Sequence, residues 1–280
     1  MGLRETSEER PVKIFSVTSG KGGVGKTNVV INLAIALTEF GQKVLIVDAD
    51  LGLGNLDVLL GIRPKYHLGD VITEHKSLDE VIVAGPRGIK ILPAASGVES
   101  LTNLALKEKM HFFSELCHLD EGVDTILIDT AAGISPNVLF FSSLAHKVIV
   151  VATKEPTSIT DAYATMKVLH QGYGEKDFHL IVNLVEDEKE GLEVYRALRK
   201  VTERFLRITP AYIGSILKDM NLQRAVCQQK ALMEIHPDSS ACRDFRQVAR
   251  KILTDCAGEE GLLRAKEIDM KDRPVNGLLH

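Results

Sequence analysis

The chain has 280 residues, 45% hydrophobic and 26% charged, with a formal net charge of −4. This composition supports a sizeable buried core and excludes a strongly basic protein that coats nucleic acid, so weak or no direct nucleic-acid contact is expected. No run reaches the ~20 apolar residues of a membrane span, and the polar opening "MGLRETSEER" lacks the apolar stretch of a secretory leader.

Residues 1–11 read as a polar lead-in. "VKIFSVT" (Val12–Thr18) is a strand that runs straight into a glycine-rich loop, Ser19–Thr27. In "TNVVINLAIALTEFG", Val30, Leu33, Ala34 and Leu37 recur at helical spacing and Gly41 is a stop signal. "KVLIVDAD" is a second buried strand, tipped by Asp48 and Asp50. "GIKILPAAS", "VDTILIDTAAG", "HKVIVVATKE", "FHLIVNLVE" and "PAYIGSIL" repeat the pattern. "EPTSITDAY" reads as an X-Pro stop followed by a helix capped by Thr, Ser or Asp. Beyond Tyr212 the pattern turns helical. "DMNLQRAVCQQKAL" reads as one helix. "SSACRDFRQVARKILTDC" reads as another, with an apolar stripe of Cys242, Phe245, Val248, Ala249, Ile252 and Cys256. Residues 257–280 form a mixed-charge tail without the moment of a membrane-surface helix.

Seven apolar runs separated by helix-length segments predict an α/β fold. A mainly parallel, doubly wound sheet covered by helices on both faces would occupy residues 12–256. Ligands bind such sheets at the carboxyl ends of the strands. The polar segments Ser19–Thr27, Asp48–Asn55, Asp129–Gly133 and Thr153–Asp161, with Asn183, all fall there.

Gly20-Lys21-Gly22-Gly23-Val24-Gly25-Lys26-Thr27 satisfies G-x-x-x-x-G-K-[ST] between a strand and a helix. Glycines let successive N–H groups turn inward onto phosphate oxygens, and the helix N-terminus adds a favourable field. Lys26 is placed for the β- and γ-phosphates and the Thr27 hydroxyl for Mg²⁺. Asp129, after an apolar strand, is placed to hold Mg²⁺ through a water. Asp48 is either a second partner of Mg²⁺ or a structural cap. Asp50 would reach the γ-phosphate and orient the attacking water. "LGLGN" and "AAG" beside these acids read as switch loops. Lys21 is surplus to a phosphate loop; spacing alone allows a solvated surface lysine.

These residues resemble the MinD/ParA ATPases. "KGGVGKT" is similar to their deviant Walker A motif, and "DADLGLGNLD" and "DTAAGI" to their two switch segments. "LPAASGVESLTNL", "EPTSITDAYATMKVL" and "VTERFL" resemble the FlhG/FleN branch of flagellar-number regulators. The resemblance implies a P-loop NTPase of SIMIBI type that binds ATP and Mg²⁺ and pairs into an ATP-dependent homodimer. It implies catalytic roles for Lys21, Lys26 and Asp50, with Lys21 reaching the partner's ATP. It implies that Asn183 reads the adenine edge, and that Asn28, Leu217 and Asp219 complete the nucleotide-binding set. The implied partners are a FleQ-like transcriptional activator and an FlhF-like GTPase. The implied location is the cytoplasm, peripheral to the inner membrane or cell pole. Three departures stand out. Leu217 replaces the proline of the family's late G-x-I-P, which puts the adenine wall in doubt. The "DQAxxLR"-like segment used to stimulate FlhF is missing. The tail carries no evident membrane helix.

Division-site placement or DNA partition is the alternative role, though no basic run supports partition. An iron–sulfur carrier would need clustered cysteines. Cys117, Cys227, Cys242 and Cys256 form no C-x-x-C pair and read as reduced thiols. A small-molecule kinase or ligase would need a second substrate pocket, for which no motif speaks.

Overall fold

The structure is a computed structural model and describes residues 12–257 apart from 53, 74, 95–104, 118, 120 and 121. The lead-in, the tail beyond 257 and most of "LPAASGVESLTNL" therefore lie outside the described residues.

Strand β1 (Lys13–Ser19) and helix α1 (Lys26–Glu39) flank the glycine loop, and β2 (Val44–Ala49) follows. Three short helices, α2 (Leu56–Leu60), α3 (Leu68–Ile72) and α4 (Leu78–Val81), lead to β3 (Val83–Ala84) and β4 (Lys90–Leu92). Next come α5 (Leu106–Cys117), β5 (Thr125–Ala132), α6 (Pro136–Leu144), β6 (Lys147–Ala152) and α7 (Pro156–Tyr173). Then follow β7 (Phe178–Val185), α8 (Glu188–Leu206), β8 (Ala211–Leu217), α9 (Met220–Cys227), α10 (Leu232–Ile235) and α11 (Ser240–Ala257).

The eight described strands form one sheet in the order β3-β4-β2-β5-β1-β6-β7-β8. Every neighbouring pair is parallel except β3 with β4. The seven expected runs are the seven longer strands. β3 went unread because two residues, Val83 and Ala84, carry no periodicity. From β1 the sheet extends one way through β5, β2 and β4, and the other way through β6, β7 and β8. The carboxyl end of β1 stands at that divide, where an open sheet leaves a crevice.

Helix α1 is apolar nearly all round: Val29 to Leu37 are buried without a break. Such a helix needs cover on both sides. The sheet supplies one, and α11 the other, laying Cys242, Phe245, Val248, Ala249 and Ile252 into the same core. The expected stripe is thus a core face, worth about 1.5–3 kcal/mol per large side chain buried. The side chain of Cys256 lies outside the description.

Residues 219–232 are not one helix. Gln229 adopts φ 54°, and the Lys230 N–H reaches back to the Ala225 carbonyl. This left-handed cap ends α9. The Gln229 amide then donates to the Val58 carbonyl at 2.9 Å, a tertiary bond that holds the break in place. The Pro156 helix also differs in its cap. Proline occupies the first helical position, Glu155 is the N-cap, and the Ser158 hydroxyl turns back to accept from the Thr153 N–H at 3.0 Å.

Candidate functional site

The loop after β1 is shaped by glycines, Gly20 and Gly25 for lack of room and Gly23 and Gly25 for their backbone conformation. Gly23 and Gly25 sit at φ 80° and 81°, a conformation that costs other residues strain. A Cβ on Gly25 would lie 2.6 Å from the Asn183 amide nitrogen. A Cβ on Gly20 would lie 2.2 Å from the Asp161 main chain in α7. The loop is therefore wedged between β7 and α7. Buried Asn183 pins it from below, donating Nδ2–H to the Val24 carbonyl at 2.8 Å, while its Oδ1 has no partner among the described residues. Val24 is buried, Gly22 faces open space, and Asn28 lies in the first turn of α1.

Lys26, at the start of α1, is buried and ion-paired to Oδ1 of buried Asp129 on β5. The Thr27 hydroxyl hydrogen-bonds the same carboxylate. Burial pushes the Asp129 carboxyl up, and the Lys26 ammonium and Thr27 hydroxyl pull against that push. Asp48 is directly level with Asp129 across the β2–β5 pair. Its Oδ1 accepts the Asp50 N–H at 3.1 Å and its Oδ2 the Leu56 N–H at 3.4 Å. Burial, then the neighbouring charge of Asp129, raises the Asp48 carboxyl to about 8. Of the two roles left open for Asp48, these bonds show the cap: its carboxylate holds the turn into α2. Asp50 is half-buried and close enough for its charge to act on both other carboxyls.

Lys21 is partly exposed but ion-paired. Its Nζ lies 2.5 Å from Glu155 Oε2 and 3.2 Å from Thr157 Oγ1, at the N-terminus of α7. Neither partner stands out by spacing; both sit in "EPTSITDAY". Leu217, at the end of β8, donates its N–H to Asp244 Oδ2 at 2.9 Å, a bond that a proline there would forbid. Asp219 joins two helix starts. Its Oδ1 accepts from the Asn221 N–H at 2.8 Å and its Oδ2 from the Ser240 hydroxyl at 3.1 Å. Burial pushes the Asp219 carboxyl up, but these bonds outweigh it and hold the carboxyl below its usual range.

The donor set suits a phosphorylated ligand with a divalent cation. One lysine, one hydroxyl and one strand-end carboxylate converge beneath a loop whose Gly20 and Gly25 leave no room for a Cβ. Among the described residues no group of three acidic, histidine or cysteine side chains makes a complete metal site. A cation held by Thr27 and Asp129 would take its other ligands from phosphate and water.

Residues 15–232 match the model of the CobQ/CobB/MinD/ParA nucleotide binding domain. The chain belongs to this family. It is 42% identical to the antiactivator FleN of Pseudomonas aeruginosa over 250 residues, 89% of both chains. It is 34% identical over 238 residues to the flagellum site-determining protein YlxH of Helicobacter pylori, covering 85% of this chain and 80% of that one. Among solved structures, the septum site-determining protein MinD complexed with Mg-ADP from Pyrococcus horikoshii superposes with a TM-score of 0.73 at 26% identity. That match covers 89% of this chain and 98% of the other. The family's nucleotide-binding domain and its fold are as expected from "KGGVGKT" and the alternating pattern.

Proposed function

We propose that this chain is a slow, Mg²⁺-dependent ATPase that pairs on ATP and, as a pair, restrains flagellar biosynthesis by antagonising a FleQ-like transcriptional activator. The observation that carries this reading is the 42% identity to an antiactivator across 89% of both chains. The second lysine, Lys21, beside the phosphate loop supports the pairing. In this reading the structural unit is 12–256, the 1–11 and 257–280 segments are appendages, and the site is cytoplasmic or peripheral to the inner membrane or pole. No helix among the described residues is long and apolar enough to cross a membrane.

The loop amides of Gly20 to Lys26 would wrap the phosphates of ATP, and Lys26 would leave Asp129 for the β- and γ-phosphoryl oxygens. Thr27 and Asp129 would hold Mg²⁺, with Asp48 behind. The bound cation would neutralise charge on the transferring phosphoryl oxygens. Asp50 orients the water for in-line attack. Lys21 extends to the partner's nucleotide and stabilises charge there. Since ATP shifts a monomer–dimer balance only by binding the dimer better, that contact supplies the difference. Asn28, Asn183, Leu217 and Asp219 line the base side. Asn183 does so while already bonded to Val24, so its free Oδ1 is the atom available to a base.

Light scattering with ATP and with ADP tests the switch: a dimer with ATP alone is expected, and a monomer in both overturns it. A pull-down with a FleQ-like activator and an FlhF-like GTPase then tests the partners. Retention of a division-site protein instead would favour the second reading, which rests on the MinD-like fold.

A further inference from the structure

We propose that Glu155, with Thr157, is a positioning device that holds Lys21 within its own subunit and so sets the threshold for ATP-driven pairing. This inference rests on the reading of Lys21 as a contact to the partner's nucleotide.

The geometry is specific. Glu155 is the N-cap of α7 and Thr157 lies in its first turn, and both receive the Lys21 ammonium, at 2.5 and 3.2 Å. A helix N-terminus carries partial positive charge and repels a cation. Lys21 therefore stays there because the Glu155 carboxylate overcomes that field. The other nearby cation, Lys154, is engaged elsewhere, 3.0 Å from Glu190. The backbone enforces the arrangement, because Gly20 packs directly on the Asp161 main chain of the same helix. Where the loop meets α7, the lysine at its outer edge is delivered to the carboxylate.

One ammonium cannot serve Glu155 and a partner's phosphate together. Each pairing event must break two internal contacts, one in each subunit. The pair is exposed, with 39% of the Lys21 and 60% of the Glu155 side chain accessible. An exposed pair of this kind shifts an equilibrium by only about one- to fivefold. That strength quiets Lys21 when no triphosphate is opposite and yields when one is. Glu155 is thus tuned to delay pairing without preventing it.

The test is the protein concentration at half-dimerisation, read by light scattering with Mg²⁺ and a non-hydrolysable ATP analogue. Because each dimer releases two such contacts, Glu155→Gln should lower it by about two- to twenty-fivefold, while Glu155→Asp stays nearer to wild type. Affinity for a fluorescent ADP, read on the monomer, should not change. In a Lys21→Ala background, Glu155→Gln should have no effect. An unchanged or raised midpoint in Glu155→Gln overturns the proposal. So does an equal shift in the Lys21→Ala background, which would place the effect in α7 itself. If the wild-type chain stays monomeric with the analogue, the pairing reading fails and the latch falls with it.

Discussion

Asp48 and Asp129 stand level on adjacent parallel strands, and only one of them has a lysine. Burial first, and then the charge of Asp129, pushes the Asp48 carboxyl up from 3.8 to about 8. The sign follows from linkage: a carboxyl raised in the folded state favours folding fully only below its unfolded value. That contribution is lost as pH rises from about 4 towards 8. In the absence of nucleotide, Asp48→Asn should therefore raise the melting temperature at pH 8 and change it little at pH 4; equal effects at both would contradict the burial argument. Asp50→Ala should bind the ATP analogue like wild type yet lose at least tenfold in turnover, the loss typical of removing a group that positions a reactant. An unchanged phosphate-release rate would remove Asp50 from that role. Gly20→Ala should lose most nucleotide affinity, since the new methyl meets α7 main chain.

At the scale of elements, the link between β8 and α11 replaces a proline with a hydrogen bond. Leu217→Pro removes the N–H that Asp244 accepts and leaves a half-buried carboxyl short of a donor. The expected cost is about 1–3 kcal/mol, or several degrees of melting temperature at about 2–4 °C per kcal/mol. Asp244→Ala should cost a similar amount, and the double variant little more than either, because both remove the same bond. The long strands, α1, α7 and α11 were legible because each repeats a period over many residues. The break at Gln229 and the strand Val83–Ala84 were not, since the first is held by Val58 and the second by β4. The site divides in the same way. Lys26, Thr27, Asp48, Asp50 and Asp129 follow from motif and strand ends. The Asn183–Val24 and Lys21–Glu155 bonds join positions 159 and 134 apart, where no local pattern can reveal them.

For the molecule as a whole, the sheet's outer strand β8 pairs only with β7 among the described residues. Edge strands invite pairing with other chains. Here α11 occupies exposed main-chain groups: Lys251 donates to the Tyr212 carbonyl and Asp244 accepts from Leu217. Lys251→Ala should therefore increase self-association that is indifferent to nucleotide, visible as scattering in ADP as well as ATP. Equal scattering by variant and wild type would show that α11's bulk alone guards the edge.

The Lys26–Asp129 pair has a consequence for the cycle. Under the proposed reading, phosphate would claim the lysine and the divalent cation the carboxylate, so either ligand alone would strand one buried charge without its partner. Nucleotide and cation would then bind with positive coupling, each lowering the cost of admitting the other.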